Sequence, residues 1–320
     1  MAEEEGRLPS FSVVIPAYQA AATIGEALDS LRAQTLAPDE VLVCDDGSSD
    51  DLAAALEPYS GFVRLLRGEH RGVAAARNVL LEAAGSDFVV PLDADDVYAP
   101  TRLQRLAELA VARPELDILS TDALFVSGGR AVGRFNERTP FAPERQREAI
   151  LDRCFVICPA MRRSRLQEIG GYDESLRTAE DWDVCLRLIL TGSGAGLVDE
   201  PLLEYRLGSE SLTARRSETL RERVYMLEKA AATPGLDSGT RKAAERAASR
   251  HRGRALQQTA CEAVGEASPG ARRELFAVAR SRDVGLRARI GATLAGIVPN
   301  NQSKRIVEAT LSGSTGRPSG

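Results

Sequence analysis

The sequence predicts an α/β fold, in which a mostly parallel central sheet carries helices on both faces and a helical C-terminal region follows. Over the first 120 residues, short apolar runs alternate with helical patterns. The run at 88–90 (Phe-Val-Val) is continuously apolar, which is typical of a parallel strand buried on both faces. After residue 213 almost every segment favours helix.

The elements of the first part follow one another regularly. Strands are predicted at 11–15, 40–44, 62–66 and 87–92, helices at 23–33, 73–84 and 101–112, and a further strand from 117. From 124 to 207 the rhythm changes to shorter strands, with a hairpin at 127–129 (Ser-Gly-Gly) and a helix at 181–190.

The remaining chain is predicted from its helix breakers. Breaks fall at 233–235 (Thr-Pro-Gly), 268–270 (Ser-Pro-Gly) and 299–300 (Pro-Asn), within a helical region predicted to span 214–311. Residues 1–9 are expected to be disordered. Residues 312–320 are rich in Gly and Ser and are expected to form a flexible tail.

Composition limits the classes of partner. The chain has 320 residues, and its 43% hydrophobic and 27% charged content is typical of a globular protein. Residues 1–200 hold 20 Lys/Arg against 34 Asp/Glu, whereas 201–320 hold 21 against 12. The acidic first part argues against a nucleic-acid ligand and favours a site that gathers cations. The basic part is interpreted as a solvated helical face, with an anionic partner or membrane surface as the alternative.

The N-terminal sequence and the cysteines bear on location. The start is acidic and lacks the features of a secretion signal, and no run approaches the ~18 apolar residues of a membrane span. The five cysteines are scattered, without the pairs and nearby histidine of a zinc site. We therefore expect free thiols and a cytoplasmic protein, in solution or peripheral at the inner face of the membrane.

Polar side chains follow three of the predicted parallel strands. Tyr18 follows the first, Asp45 and Asp46 end the second, and residues 93–96 (Asp-Ala-Asp-Asp) follow the fourth. Ligands of open parallel sheets bind beyond the carboxyl ends of the strands, so these side chains should share one rim. Carboxylates so close together are stabilised by a divalent cation. A single Asp-rich loop is more often a turn or a helix cap, but three on one rim favour a functional site.

Six short motifs occur in a characteristic order. They are VIPAY at 14–18, VCDDGSSD at 43–50, ARN at 76–78, LDADD at 92–96, GGYDE at 170–174 and AEDWD at 179–183. Together they resemble the successive blocks of family 2 glycosyltransferases of the GT-A fold. The resemblance implies a glycosyltransferase domain over 10–213, with a nucleotide-binding part at 10–122 and an acceptor-side part at 123–213.

The resemblance also implies a donor site for a nucleotide diphosphate sugar. Tyr18 would stack on the base, and Asp46 and Arg77 would read its polar edge, with uracil favoured and thymine next. Asp93 would contact the ribose. Asp95, or alternatively Asp96, would bind Mg²⁺ or Mn²⁺ on the diphosphate. The implied donor-binding residues are Pro16, Ala17, Tyr18, Asp46, Arg77, Asp93 and Arg206.

The motif at 179–183 implies the catalytic step. Asp181 would act as general base and take the proton of an acceptor hydroxyl, in a single displacement that inverts the anomeric carbon. An acidic residue in a first helical turn is also common without any function. Glu180 and Trp182 are placed on the acceptor side, with capping and core packing as their respective alternatives.

The sequence departs from the family at one position. Gly208 stands where the family often has a histidine, so water, Ser211 or Arg206 would have to replace that side chain. For Arg206, a surface ion pair is the alternative to a diphosphate contact.

Other function classes fit less well. The first strand is followed by neither the basic, Gly-rich loop of a sugar-nucleotide pyrophosphorylase nor a Gly-x-Gly-x-x-Gly dinucleotide motif. The remaining alternative is a catalytically inactive binding or scaffold protein on the same fold. The acceptor is left open as a glycan, a lipid-linked glycan or a small molecule. For the C-terminal helices, peripheral membrane contact or pairing of subunits is the alternative to a solvated face.

Overall fold

The computed structural model describes three stretches of the chain, residues 7–207, 216–298 and 300–311. The chain divides into two compact units between residues 209 and 210. The predicted boundary between 213 and 214 lies outside the described residues, as do residues 1–6 and 312–320, for which disorder was expected.

Among the described residues, the strands of the first unit form one nine-stranded sheet. The strands are β1 (Phe11–Ala17), β2 (Glu40–Asp45), β3 (Arg64–Arg67), β4 (Phe88–Pro91), β5 (Val97–Tyr98), β6 (Leu116–Ser127), β7 (Arg130–Arg134), β8 (Ala160–Arg162) and β9 (Gly194–Arg206). The helices are α1 (Ile24–Arg32), α2 (Leu52–Leu56), α3 (Val73–Ala83), α4 (Arg102–Ala112), α5 (Phe135–Arg138), α6 (Gln146–Asp152), α7 (Arg163–Glu168) and α8 (Glu180–Leu190).

The sheet has a parallel half and a mixed half. Its order is β3-β2-β1-β4-β8-β6-β9-β5, and β7 pairs with β6. Strands β3, β2, β1 and β4 are mutually parallel. β8 runs antiparallel to both β4 and β6, while β6 and β9 are parallel to each other. The parallel half therefore brings the carboxyl ends of β1, β2 and β4 to one edge.

Helices cover both faces of the parallel half. Val13 and Ile15 of β1 are fully buried in the cluster that includes Ile24 of α1 and Leu103 of α4. Val14, between them, is also fully buried, and α3 contacts β1 and β2. Because successive side chains of a strand point to opposite faces, both faces must be covered for β1 to be apolar throughout. The predicted fold class is confirmed.

The mixed half differs from the prediction of shorter strands. β6 and β9 span 12 and 13 residues and pair along most of their length. The sequence conceals this because Asp122 and Pro201 interrupt the apolar runs. These two residues pair at a register shift, where a proline without an N–H is tolerated. The predicted hairpin is present: β6 and β7 are joined by two glycines with positive φ, which the tight hairpin turn requires.

The second unit consists, in its described part, of helices α9 (Arg216–Ala231), α10 (Ser238–Gly265), α11 (Ala271–Arg280), α12 (Leu286–Ile297) and α13 (Asn300–Thr310). Its core contains Leu275, Val278, Val284 and Val307. Helix breaks fall at the predicted sites after Ala231, Gly265 and Ile297. A further break at 281–285, which the sequence did not indicate, separates α11 from α12.

Candidate functional site

Three loops meet at the edge where β1, β2 and β4 end. Ala17 at the end of β1 pairs with Asp45 at the end of β2, and the Asp46 N–H donates to the Ala17 carbonyl at 2.8 Å. The residues that follow the strands, Tyr18, Asp46 and Asp93, therefore lie at one edge. Pro16 and Ala17 are the last two residues of β1 and lead into this edge.

Asp46 holds the loop that enters α3. Its side chain is buried, and its two oxygens accept the backbone N–H groups of Arg71 at 3.0 Å and Gly72 at 2.8 Å. A Cβ on Gly68 would lie 2.9 Å from Asp46 Oδ1, so the close approach of this loop requires glycine. The sequence predicted only a base contact for Asp46, and the structure adds this anchoring role.

Tyr18 is half exposed and contacts a histidine that the sequence did not place at the site. The ring centroids of Tyr18 and His70 are 4.4 Å apart, with an angle of 31° between the planes. His70 has φ +55°, and its Nδ1 lies 3.0 Å from the Asp46 carbonyl oxygen. No sequence pattern marks this contact, because it depends on a left-handed backbone at a non-glycine residue.

The carboxylates after β4 lie in a turn rather than on a strand. β4 ends at Pro91, and the Asp96 N–H donates to the Asp93 carbonyl at 3.0 Å. Strand alternation therefore does not set the directions of the Asp93 and Asp95 side chains. Asp95 lies exposed at the corner of the turn, whereas Asp96 is folded back into the protein and is 2% exposed.

Burial and close spacing disfavour ionisation of the carboxyl groups in this turn. Asp96 Oδ1 accepts the backbone N–H of Arg206 at 2.8 Å, and Oδ2 is buried without a hydrogen-bond partner among the described residues. Burial, and then the nearby Asp93, raises the pKa of Asp96 to about 8. The same two causes, in the same order, raise the pKa of Asp95. A cation bound here would stabilise the ionised forms.

A partly buried thiol joins the carboxylates. Ligand atoms of Asp93, Asp96 and Cys158 all lie within 4.8 Å of one another. Burial raises the pKa of the Cys158 thiol, and the two aspartates raise it further. Carboxylate oxygens suit Mg²⁺ and Mn²⁺, so the donor set around Asp93 fits a divalent cation. The sequence missed Cys158 because the segment before β8 carries no recognisable spacing.

Arg77 connects this turn to α8. Its guanidinium is buried and donates from Nη2 to Asp93 Oδ1 at 2.9 Å and from Nη1 to Glu180 Oε1 at 2.8 Å. It also lies 5.6 Å from the centroid of the Tyr172 ring. Two carboxylates thus engage both terminal nitrogens of Arg77 and give it a positioning role, while its predicted contact with a base edge stays a prediction.

The first turn of α8 presents one exposed acid between two buried residues. Asp181 is exposed, and its Oδ1 accepts the Trp182 N–H at 2.6 Å. Trp182 is buried and its indole N–H donates to the Ile150 carbonyl at 2.8 Å. These contacts correspond to core packing, the alternative to a place on the acceptor side. Glu180 is buried against Arg77, and burial, followed by the charge of Asp181, raises its pKa to about 7 against the opposing effect of Arg77.

The GGYDE motif docks on the ARN motif. Asn78 Oδ1 accepts the Tyr172 N–H at 2.8 Å, and its Nδ2 donates to the Tyr172 carbonyl at 3.0 Å. A Cβ on Gly171 would lie 2.6 Å from Asn78 Oδ1, so glycine permits this approach. The motif therefore fixes the segment leading to α8 against α3.

Arg206 is engaged through both its side chain and its backbone. Its side chain forms an ion pair with Glu26 of α1, and its backbone N–H bonds Asp96. The positions for which a replacement of the family histidine was considered, Gly208 and Ser211, lie outside the described residues.

Comparisons with known proteins agree with this architecture. A family model described as glycosyl transferase family 2 matches residues 12–170, the stretch that contains β1, the Asp93–Asp96 turn and β8. The chain belongs to glycosyltransferase family 2. This confirms the family predicted from the six motifs.

The O-antigen biosynthesis protein RfbC of Myxococcus xanthus is 33% identical over 218 residues, covering 65% of this chain and 17% of RfbC. In three curated relatives, RfbC included, the matched segment spans 17% to 63% of the relative's length.

Two solved structures share the fold. S. aureus TarS 1-349 in complex with UDP-GlcNAc superimposes with a TM-score of 0.66 at 20% identity, covering 95% of this chain and 92% of the TarS 1-349 chain. The mannosyltransferase PcManGT of Pyrobaculum calidifontis, in complex with GDP-Man and Mn²⁺, gives a TM-score of 0.58 at 19% identity, covering 97% and 87%. Within the described stretches of our chain, no helix is both long and apolar enough to cross a membrane.

Proposed function

We propose that this family 2 chain transfers a sugar from a nucleotide diphosphate donor to an acceptor hydroxyl, by a single displacement that inverts the anomeric carbon. The observation that carries the proposal is the link Asp93–Arg77–Glu180, which joins the donor-side rim to the helix turn bearing Asp181. An exposed carboxylate held beside a nucleotide rim is the arrangement that general-base catalysis on a bound donor needs.

The donor's base would lie against Tyr18, whose exposed ring offers a stacking face. Asp46 would accept from the base edge, since each carboxylate oxygen can accept a second hydrogen bond beyond its backbone partner. UDP-sugars fit this acceptor best and dTDP-sugars next. Asp93, held in place by Arg77, would contact the ribose. Arg206 would reach the diphosphate after exchanging its exposed partner Glu26.

The divalent cation, Mg²⁺ or Mn²⁺, would be held at the turn after β4. Asp95 is the proposed ligand because it is exposed at the corner of the turn. The alternative is the buried Asp96, whose Oδ2 has no hydrogen-bond partner within the described part of the chain. When bound, the cation supplies Lewis-acid neutralisation of the charge on the departing diphosphate. The PcManGT complex, which contains both GDP-Man and Mn²⁺, supports a cation in this fold.

Asp181 would take the proton from the acceptor hydroxyl. The acceptor oxygen would form its bond to the anomeric carbon while the bond from that carbon to the diphosphate oxygen breaks on the opposite face. The proton ends on the Asp181 carboxylate and the electron pair leaves with the nucleoside diphosphate. Glu180 would support Asp181 through its bond to Arg77, and Trp182 through packing on α6. The acceptor is a glycan, a lipid-linked glycan or a small molecule.

Donor hydrolysis tests the proposal without knowledge of the acceptor. We expect one nucleotide sugar from a panel of UDP-, dTDP- and GDP-sugars to release nucleoside diphosphate, and chelation by EDTA to stop the release. Added Mg²⁺ or Mn²⁺ should restore it. Full activity in EDTA would contradict the role of the cation, and binding of a donor without turnover of any donor–acceptor pair would indicate an inactive binding protein.

Two variants assign the cation ligand. Asp95→Asn should weaken Mn²⁺ binding by about tenfold or more, because loss of a direct ligand reduces metal affinity at least as much as loss of a residue that supports a ligand. Electron paramagnetic resonance of free Mn²⁺ measures the binding. Asp96→Asn should change it less. The reverse order would assign the cation to Asp96.

A further inference from the structure

Helix α12 of the second unit exposes its largest apolar side chains. Leu286, Ile290, Leu294 and Ile297 are 70%, 51%, 52% and 67% exposed. Their spacings of four, four and three residues place them along one side of the helix, and we call them the α12 stripe. Isolated exposed apolar residues are normal at protein surfaces, but four in one row mark an interaction surface.

The opposite side of α12 is built from small residues. Ala288, Gly291, Ala292, Ala295 and Gly296 are buried, and α12 packs against α11 and α13. A Cβ on Gly291 would lie 2.1 Å from Thr310 Oγ1, so this packing leaves no room for larger side chains. A helix of a soluble bundle normally buries its large apolar residues, and α12 does the reverse. The exposure of the stripe is therefore fixed by close packing on the other side.

The surroundings of the stripe are basic. Residues 271–311 contain eight Lys/Arg and three Asp/Glu. Two of these basic residues, Arg287 and Arg289, belong to α12 itself. The side chain of Arg289 donates to the Ala279 carbonyl at 2.9 Å, and Arg287 is exposed next to Leu286 in the sequence. A groove of about 350 Å³ opens beside Leu286 and Arg287. Large apolar side chains flanked by arginines suit the boundary between lipid headgroups and acyl chains.

We propose that the α12 stripe docks this protein peripherally on an anionic lipid surface. The 12-residue helix is ~18 Å long, too short to cross the ~30 Å hydrocarbon core, so it would lie in the plane of the interface. A second copy of the chain is the less favoured occupant, since pairing through the stripe would bring two basic surfaces together. Anionic headgroups instead attract them.

Vesicle co-sedimentation of the full chain tests the proposal. The stripe variant carries Leu286→Ser, Ile290→Ser, Leu294→Ser and Ile297→Ser, and its matched control is Val111→Ser, an exposed apolar residue on α4 of the first unit. We expect the wild type and the control to pellet with vesicles of phosphatidylcholine and phosphatidylglycerol, and the stripe variant to bind about tenfold or more weakly. Vesicles of phosphatidylcholine alone should bind the wild type weakly.

Two further variants keep the outcome interpretable. If circular dichroism shows that the quadruple variant does not fold, Leu286→Ser alone replaces it. This change at the most exposed position should weaken vesicle binding measurably. Arg287→Gln should reduce the preference for anionic vesicles. Equal pelleting of the wild type, the quadruple stripe variant and Leu286→Ser would overturn the proposal. The proposal would also be overturned if the wild type bound no vesicles and sedimentation velocity showed a wild-type dimer that becomes a monomer in the stripe variant. Hydrolysis of a water-soluble donor should be unaffected in all these variants.

Discussion

At the scale of single residues, the site depends on Arg77 more than on any exposed group. Its buried guanidinium lies between Asp93 and Glu180, and these two bonds join the turn after β4 to α8. Removing one partner of a buried charge network is far more costly than breaking a surface pair, because it leaves unpaired charge in a low-dielectric interior.

Arg77→Met should lower the free energy of unfolding by about 3 kcal/mol, since it leaves the two carboxylates facing each other without a cation. The matched control is Arg71→Met, which removes an exposed ion pair with Glu174 and should cost about 1 kcal/mol or less. Urea denaturation measures both. Equal losses for the two variants would mean that the Arg77 bridge contributes no more than a surface ion pair.

Glu180 should make stability depend on pH. Burial raises its folded-state pKa to about 7 from an ordinary 4.5, so the folded protein holds this proton more tightly than the unfolded chain. The stabilisation is complete below pH 4.5 and is lost as pH rises through 7. Glu180→Gln resembles the protonated form and does not titrate. Between pH 5 and about 8, the free energy of unfolding should therefore fall less in this variant than in the wild type.

Denaturation at several pH values checks this prediction, with Glu82→Gln on an exposed position of α3 as the control. If the wild type and Glu180→Gln showed the same slope between those pH values, the carboxyl would be titrating near its ordinary pKa and the burial argument would fail.

At the scale of elements, short motifs predict where a loop is but not what holds it. The sequence indicates that Asp46 and the Asp93–Asp96 turn share a rim, because parallel strands end together. It does not indicate that Asp46 accepts two N–H groups of the loop entering α3, or that Asp96 folds inward to bond Arg206. Those contacts depend on turn geometry and on partners that lie 25 and 26 positions away for Asp46 and 110 positions away for Asp96, which no local pattern encodes.

Helix α12 offers a test of element packing. Gly291→Ala should destabilise the second unit by roughly 1–3 kcal/mol, because the new Cβ would lie 2.4 Å from Thr310 Cβ and overpacking outweighs the ~1 kcal/mol that alanine contributes as a helix former. Gly265→Ala in α10, where no atom lies within 4 Å of the new Cβ, should be neutral or stabilising. Differential scanning calorimetry of the full chain measures both, and a stabilised Gly291→Ala would contradict the close packing.

At the scale of the whole molecule, the alternation of strands and helices predicted the parallel half and its site edge. The same reasoning failed for the mixed half, where Asp122 and Pro201 interrupt runs that nevertheless form long paired strands. The helical breakers located most of the second unit's helices, but the apolar residues of α12 gave no sign that they face outward. Which side of a helix is buried depends on its neighbours, here on the small residues that α11 and α13 contact.

The most direct test of the account is Asp181→Asn. We predict that donor turnover falls by about 10²-fold or more, as expected for loss of a general base, while the dissociation constant for the nucleoside diphosphate, measured by titration calorimetry, stays within about threefold. Glu82→Gln serves as the control for an exposed acid in the same unit. Wild-type turnover in Asp181→Asn, or loss of nucleotide binding together with activity, would contradict the role of Asp181 as the base.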